Sequence, residues 1–252
     1  MLQAVTDATP AAATHAPHLV LCELQRQPLP GHESYSPFCL KVHRALKAAG
    51  LAYESRPAAV PDAHRQHNPL GQVPVLLIDG QAIADSTQIL AALAQRSPTP
   101  TWAADTSTHA EALLWEELAD TALNGFLVAA RWADERHWPL VREAYFGAAP
   151  WPVRRLIAPQ IRRRVIAGLV ARDVWRAGPD ACWRRFQTLL DALDHRAPAT
   201  GFWLGAHLGL ADIALFAQLH SLRTPLTPWQ HAQLQARPAL RAWLDRVDQA
   251  TR

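Results

Sequence analysis

Hydrophobic and polar positions change rhythm twice along the chain, and each change predicts an element. Leu19 to Leu24 is a nearly continuous apolar run broken only by Glu23, the pattern of a short buried strand, after which Pro28, Pro30 and Gly31 mark a long loop. From Phe38 the apolar residues Val42, Ala45, Leu46 and Ala49 follow a helical period, and Gly50 stops that helix. Leu51 to Ser55 predicts a second strand and Asp62 to His67 a short helix, followed by an Asn68-Pro69 loop. Val73 to Ile78 and the segment starting at Ile83 read as hairpin strands around Asp79-Gly80, and Ile89, Leu90 and Leu93 place a helix over about Ser86 to Arg96. The expected order is β-α-β-α-β-β-α.

Beyond the proline-interrupted stretch Ser97-Pro98-Thr99-Pro100-Thr101, every long segment has helical periodicity. This shift divides the chain into a tail over 1–17, an α/β domain over 18–97, a linker over 98–107 and an all-α domain over 108–252. In the all-α part, Trp115, Leu118, Ala122, Phe126, Ala129 and Trp132 form one stripe that should pack against neighbouring helices or the first domain. Farther on, Gly209 followed by Asp212 reads as a helix start whose carboxylate reaches back to the Gly209 N–H.

With 252 residues, about half of them hydrophobic, the chain can bury a substantial core. Only Lys41 and Lys47 are lysines, and with so much arginine and alanine this reads as coding bias. The net charge is only +3, yet basic residues crowd between Arg154 and Arg185 with Asp173 and Asp180 as the only acids. Leu156, Ile157, Ile161, Val165, Ile166, Leu169 and Val170 interleave with them at helical spacing, so the segment reads as an amphipathic helix with a solvated basic face. An acidic partner is the other reading of that face; a nucleic-acid patch is the weaker one. Cys22, Cys39 and Cys182 are too few and too scattered for a disulfide framework or a zinc site, which fits a reducing cytoplasm. His64 and His67 lie one helical turn apart but lack a third ligand, so no metal is expected. The tract through His18 lacks the basic start and apolar core of a secretory signal and reads as a disordered tail. No apolar run approaches the roughly 18 residues of a spanning helix, so a soluble protein is expected.

Three segments carry candidate chemistry. Val73-Pro74 opens an apolar run instead of breaking one, which suits the start of a strand; a cis bond there would be a built feature that offers the Val73 backbone to a ligand. Asp85-Ser86 precede a helical pattern, where free N–H groups await an anion such as a carboxylate. Ser36 immediately precedes Pro37, a residue preorganised for the first helical turn, so its hydroxyl sits at a helix mouth, where it either caps the helix or meets a ligand.

In that order, Ser36-Pro37-Phe38-Cys39, Asn68-Pro69-Leu70-Gly71-Gln72-Val73-Pro74 and Asp85-Ser86 resemble the motifs of the glutathione transferase superfamily. Trp132 to Pro139 and Arg142 to Gly147 further resemble its bacterial failed-axon-connections and metaxin-like branch. The resemblance implies an α/β N-terminal thioredoxin-like domain plus an all-α C-terminal domain. It also implies glutathione as cosubstrate, a small electrophilic apolar substrate and a homodimer, while the lack of a long apolar run argues against the membrane anchor of some metaxin relatives. By the same resemblance, Val73 would pair with the cysteinyl backbone of glutathione and Gln72 with its backbone or glycyl end. Ser86 would take the γ-glutamyl carboxylate and Asp85 would offset the ammonium group. Ser36 would hold the sulfur, with Ser34 and Tyr35 as rivals, while Trp115, Phe126 and Trp132 are candidates to line the electrophile pocket.

The energetics of that assignment are modest. A free thiol has a pKa of about 8.5, and lowering it by about 2 units takes about 2.7 kcal/mol. One hydrogen bond to a charged group supplies about 1.5–3 kcal/mol, and a helix N-terminus adds about 0.3–1 kcal/mol. A single hydroxyl therefore suffices. Ser36-Pro37-Phe38-Cys39 also looks like a glutaredoxin site whose first cysteine has become serine, which leaves glutathione-dependent thiol reduction through Cys39 as an alternative. A non-catalytic adaptor or ligand carrier that keeps the fold is another.

Overall fold

The computed structural model describes residues 17–25, 29, 31–96 and 106–252. The expected tail through residue 16, most of the Pro28–Pro30 loop and most of the 98–107 linker lie outside the described residues.

A four-stranded sheet forms the first half. Strands β1 (Leu19–Leu24), β2 (Glu54–Ala58), β3 (Val75–Ile78) and β4 (Gln81–Ala84) lie in the order β2-β1-β3-β4. β1 pairs parallel with β2 and antiparallel with β3, which pairs antiparallel with β4. The two-residue side-chain period divides β1 and β3 cleanly. Leu19, Leu21, Leu76 and Ile78 join the main core, whereas Val20, Cys22, Val75 and Leu77 form a smaller cluster on the opposite face.

Helix α1 (Pro37–Ala48) packs against the sheet and α2 (Ser86–Ala94). Its end explains why the second strand starts later than Leu51. Gly50, at φ +65°, donates to the Lys47 carbonyl while Leu51 donates to that of Leu46, the paired bonds of a Schellman stop. Leu51 thus belongs to the helix terminus and packs on the core, and pairing with β1 begins only at Glu54. β2 is an exposed edge, where Pro57 is tolerated. The expected short helix near His67 is a 3₁₀ turn over Pro61–His64, and the buried His64 bonds the Glu23 carbonyl at 3.2 Å.

The second half is helical. A long rod combines α3 (Thr106–Glu117), a π-helical turn (Leu118–Leu123), α4 (Asn124–Val128) and another π-helical turn (Ala129–Ala133). After it come α5 (Trp138–Phe146), a π turn (Val153–Ile157), α6 (Ala158–Ala171), α7 (Gly178–Arg196), α8 (Leu210–His220), α9 (Pro228–Gln235) and α10 (Pro238–Ala250). α8 is buried from Ala211 to His220 and packs against α1, α3 and α10, so one core runs through both halves. Asp212 does reach back to the Gly209 N–H at 3.0 Å, and its other oxygen accepts from Trp203 N and Trp243 Nε1.

The predicted stripe does pack on the core, with Phe126 and Ala129 buried in it and Trp115 and Leu118 against it, but the most buried line of the rod is rotated from it. Ala112, Glu116, Ala119, Leu123 and Leu127 form the buried face, while Trp115, Leu118 and Ala122 are only half-buried. Two causes act together. Each π turn adds a residue to the turn and shifts every side chain after it, and Glu116, polar in sequence, is buried because it pairs with Lys41 at 2.5 Å. The basic segment departs similarly: Leu156 and Ile157, both within a π turn, are 57% and 45% exposed.

Among the described residues, no helix is long and apolar enough to cross a membrane, and no group of three or more His, Cys, Asp or Glu side chains is placed to hold a metal ion.

Candidate active site

Three chain segments meet at one end of the sheet. Ser36, in extended conformation at φ −78° and ψ 121°, caps α1, with Pro37 opening the helix. Its Oγ accepts from Cys39 N at 3.3 Å. A hydroxyl has one donor and two acceptor lone pairs. The cap uses a lone pair, whereas holding a thiolate uses the proton, so the two roles that compete in a reading of the sequence are compatible here. Ser34 is buried and accepts from Ser36 N at 3.3 Å, which fixes the turn before the cap.

The second segment is the loop before β3. Asn68 braces it, with Nδ2 donating to Gln72 O at 3.0 Å and Oδ1 accepting from Leu70 N at 3.1 Å. Gly71 sits at φ +64°, the left-handed region that favours glycine; a Cβ there would meet the exposed, movable Asp62 carboxylate at 2.6 Å. The Val73–Pro74 bond is cis. The strand ladders begin at Val75, which leaves the N–H and C=O of Val73 outside them.

At the start of α2, Asp85 adopts φ +77° and ψ 132°. Such a conformation in a non-glycine residue costs of order 1–3 kcal/mol and clusters at ligand sites. Its Oδ1 accepts from both Thr87 N at 2.9 Å and Gln88 N at 3.2 Å, so the acid caps the helix with one oxygen and keeps the other. Ser86, the first helical residue, is 2% exposed, and no hydrogen bond of its hydroxyl is found among the described residues.

A cavity of about 590 Å³ joins these segments, lined by Ser36, Gln72, Val73, Pro74, Asp85 and Ser86 together with Phe38. Tyr35 and Ser34 do not line it. The Tyr35 ring stacks on Tyr145 at 5.4 Å, and its phenol is pushed above the usual tyrosine range, first by burial and then by Tyr145. The aromatic residues expected at a second pocket part company. Trp132 comes within two rings of the residue before Ser36, packing edge-on at 5.5 Å against Tyr145, whose ring stacks on Tyr35. Trp115 and Phe126 pack elsewhere: Trp115 lies against Trp203 at 5.2 Å, and Phe126, 4% exposed, against Phe186 at 5.5 Å. Shared helical phase put the three together in sequence, and the intervening π turns separate them.

Cys39 is fully buried, and burial pushes its thiol up to about 12 despite neighbouring Ser36 and Ser34 hydroxyls. That suppresses the thiolate needed for disulfide exchange.

Two functional neighbours escaped the sequence reading. Arg131, 4% exposed, donates through Nη1 to the Tyr35 carbonyl at 2.5 Å and the Tyr145 hydroxyl at 3.2 Å, and through Nη2 to the Ser221 carbonyl at 2.8 Å. Its signal was a lone cation inside the apolar run Phe126 to Ala133. Lys41, 0% exposed, joins α1 to Glu116 and to Asp120, the latter at 2.6 Å.

Residues 35–96 match the family model for the glutathione S-transferase N-terminal domain, and residues 159–246 that for its C-terminal domain. No curated protein matches the chain. Solved structures of the same fold include a glutathione S-transferase from Methylobacillus flagellatus KT with GSH bound (20% identity, 92% of this chain and 98% of that one, TM-score 0.57). A glutathione transferase family member from Pseudomonas fluorescens Pf-5 with two glutathione bound shares 16% identity over 96% and 95% of the two chains, at a TM-score of 0.61. A beta-etherase from Sphingobium sp. strain SYK-6 is 22% identical over 91% of this chain and 94% of that one, at 0.57. With both family domains matched in order over more than half of its length, and with the mixed sheet and helical half those domains require, this chain belongs to the glutathione transferase superfamily.

Proposed function

We propose that the protein is a glutathione transferase that binds glutathione in the cavity between Ser36 and Ser86 and activates its thiol for attack on a small electrophile. The observation that carries this reading is the convergence of Ser36, Gln72, Val73, Asp85 and Ser86, from three separate segments, on one cavity of about 590 Å³. The residues fit the tripeptide in chemistry as well as in place. The Ser86 hydroxyl and its own N–H, at the positive end of α2, suit the γ-glutamyl carboxylate, while Thr87 N and Gln88 N stay on Asp85 Oδ1, and the exposed second oxygen of Asp85 suits the adjacent ammonium. Val73, outside the ladder, offers N–H and C=O to the cysteinyl backbone in the manner of an added strand, with Gln72 beside the glycyl end.

Glutathione supplies the nucleophilic sulfur. Ser36 supplies the proton of a hydrogen bond that favours the thiolate, while its lone pair stays on Cys39 N. Phe38, which lines the cavity, is the nearest aromatic residue for the electrophile, and the half-buried ring of Trp132 stands behind Tyr145 and Tyr35. Within the superfamily, the resemblance of Trp132 to Gly147 favours the bacterial failed-axon-connections branch. The setting we propose is cytoplasmic and the assembly a homodimer, which sedimentation would measure.

Ser36→Ala is expected to lower turnover much more than glutathione affinity. Equal turnover in that variant would remove Ser36 from the mechanism. Retention on a glutathione column with elution by free glutathione is also expected; complete flow-through would favour a non-catalytic carrier on the same fold.

A further inference from the structure

Between Pro139 and Arg172 the chain carries seven arginines and a single acid, Glu143. Arg154 takes up that acid at 2.7 Å, and Arg162 reaches back to Glu135 at 2.8 Å and to the Trp132 carbonyl at 2.7 Å. The exposed Arg142, Arg155, Arg163 and Arg164 have no ion pair among the described residues. Apolar side chains stand uncovered among them: Trp151 is 67% exposed, Leu156 57% and Ile157 45%. Arg142, Arg155, Trp151 and Leu156 line one open hollow of about 670 Å³ between α5 and the π turn before α6. Arg155 lies over the Trp151 ring at 5.7 Å, so a cation and an aromatic face are presented together. Arg163 and Arg164 follow Leu156 and Ile157 by about two helical turns, and the same face thus continues along α6.

Unpaired cations interleaved with uncovered apolar side chains select among occupants. A second copy of this face would set unpaired guanidinium groups against each other. A nucleic-acid backbone would satisfy the cations but leave Trp151, Leu156 and Ile157 uncovered. A phospholipid surface meets both demands: anionic headgroups pair with the arginines, while tryptophan and its aliphatic neighbours enter the boundary between headgroups and acyl chains. We infer that the corner between α5 and α6 docks on membranes containing anionic phospholipid, with Trp151 as the inserted side chain. No helix among the described residues is long and apolar enough to cross a bilayer, so the contact is peripheral and reversible. None of these residues lines the Ser36 cavity, so docking stands apart from glutathione binding.

Sedimentation of the full chain with vesicles tests this docking. Vesicles of phosphatidylglycerol and phosphatidylcholine in equal parts are expected to bind the wild-type protein at least about tenfold better than pure phosphatidylcholine, and less well at high salt. Each cation near an anionic surface is worth about fivefold in partition, so Arg142→Gln/Arg155→Gln, which changes only exposed side chains, is expected to lower binding at least about tenfold at an unchanged urea midpoint. Phosphatidylglycerol with brominated acyl chains is expected to quench part of the tryptophan fluorescence of the wild type and much less of it in Trp151→Ser. No sedimentation with either vesicle overturns the inference, as does equal binding to neutral and anionic vesicles or undiminished binding by the double variant. Equal quenching in Trp151→Ser overturns the insertion. Binding of polyglutamate or of duplex DNA by a protein that ignores vesicles would overturn docking on lipid in favour of an acidic protein or a nucleic acid.

Discussion

The guanidinium of Arg131 donates to the carbonyl of Tyr35 at 2.5 Å, so a residue of the helical half grips the peptide group joining Tyr35 to Ser36. The same side chain also holds Ser221 O at 2.8 Å and is 4% exposed. Hydrogen bonds to a charged group contribute about 1.5–3 kcal/mol each, and their loss leaves buried carbonyls without donors. Arg131→Met is therefore expected to lower unfolding stability by at least about 2 kcal/mol, read as a shift of the urea midpoint. Because the Ser86 end of the cavity is untouched, turnover should fall more than glutathione affinity. Arg131→Lys keeps the charge but not the fork, and should recover only part of either loss. A variant with wild-type midpoint and turnover would show that the grip is incidental.

Asp85 combines a helix cap with an unfavourable backbone, and the two oppose each other on substitution. Glycine relieves the positive φ, worth about 1–3 kcal/mol, and forfeits only a few tenths of a kcal/mol of capping. Alanine loses about 1 kcal/mol of capping and relieves nothing. Asp85→Gly should thus match or exceed wild-type stability, with Asp85→Ala below both. Since Asp85 is exposed, its pairing with an ammonium group is screened and worth about 0.2–1 kcal/mol. Both variants are expected to weaken glutathione binding by up to about fivefold, and by less at high salt. Calorimetry at two ionic strengths measures this.

The buried cation of Lys41 sits against Glu116 Oε1 at 2.5 Å and Asp120 Oδ2 at 2.6 Å, with Gln218 donating to the other Asp120 oxygen at 3.2 Å. Removing one partner of such a group costs about 3–5 kcal/mol, because the remaining charges stay buried. Burial already raises the Asp120 pKa, offset chiefly by Lys41. Lys41→Met removes that offset, and a folded-state pKa raised above the unfolded one means stability present at acid pH and lost as pH rises. The variant should therefore be much closer to wild type at pH 4 than at pH 8 in urea melts. Adding Glu116→Gln and Asp120→Asn should restore most of the loss at neutral pH. Equal destabilisation at both pH values would mean that the network is not held by charge.

These contacts mark the limit of what sequence alone conveyed. Ser36-Pro37, Val73-Pro74 and Asp85-Ser86 were legible because each encodes its own local geometry: a cap, a strand entry and a helix start within two residues. The stop at Gly50 was legible for the same reason. Arg131 meets Tyr35 across 96 residues and Lys41 meets Glu116 across 75, and no local rule links such pairs. The stripe through Trp115 and Phe126 was legible as a packing face but not in its rotation. Its period was that of a regular α-helix, and the π turns at Leu118–Leu123 and Ala129–Ala133 change the phase within it.

Cys39 is expected to be chemically silent. With its thiol pushed up to about 12 by burial, roughly one molecule in ten thousand carries the thiolate at pH 8. Burial raises Cys182 to about 12 as well, and raises Cys22. Iodoacetamide at pH 8 should leave the mass of the folded protein unchanged and add three groups in urea. Rapid modification of Cys39 without denaturant would reopen thiol reduction as its chemistry.

His220 ties the loop before Ser36 to α8, and its environment makes that tie sensitive to acid. Its Nε2 donates to Gly31 O at 3.0 Å, His32 Nε2 donates back to the His220 carbonyl at 2.9 Å, and the two rings stack at 4.2 Å. Phe216 covers the other side at 4.6 Å, and Nδ1 is buried without a partner. Burial, then the neighbouring His32 and Arg44, push the pKa of His220 down to about 3, against the pull of the Gly31 carbonyl and Asp248. An unfolded histidine titrates near 6.5, so between there and about 3 the unfolded chain binds a proton that the folded one refuses. Stability therefore falls as pH falls, by up to about 1.4 kcal/mol per pH unit from this group. His137 and His231, also lowered by burial, add to the slope. The lowered carboxyls Glu33 and Asp248 contribute mainly below about pH 4.5, under the ordinary carboxylate range. Between pH 6.5 and 4.5 the raised carboxyls of Asp120 and Asp212 oppose the histidines, so it is the difference in slope between wild type and variant that isolates His220. His220→Gln, whose amide can still donate to Gly31 O, should flatten the stability profile there by about 1 kcal/mol per pH unit in urea melts. An identical slope in wild type and variant would mean that His220 already carries its proton in the folded protein.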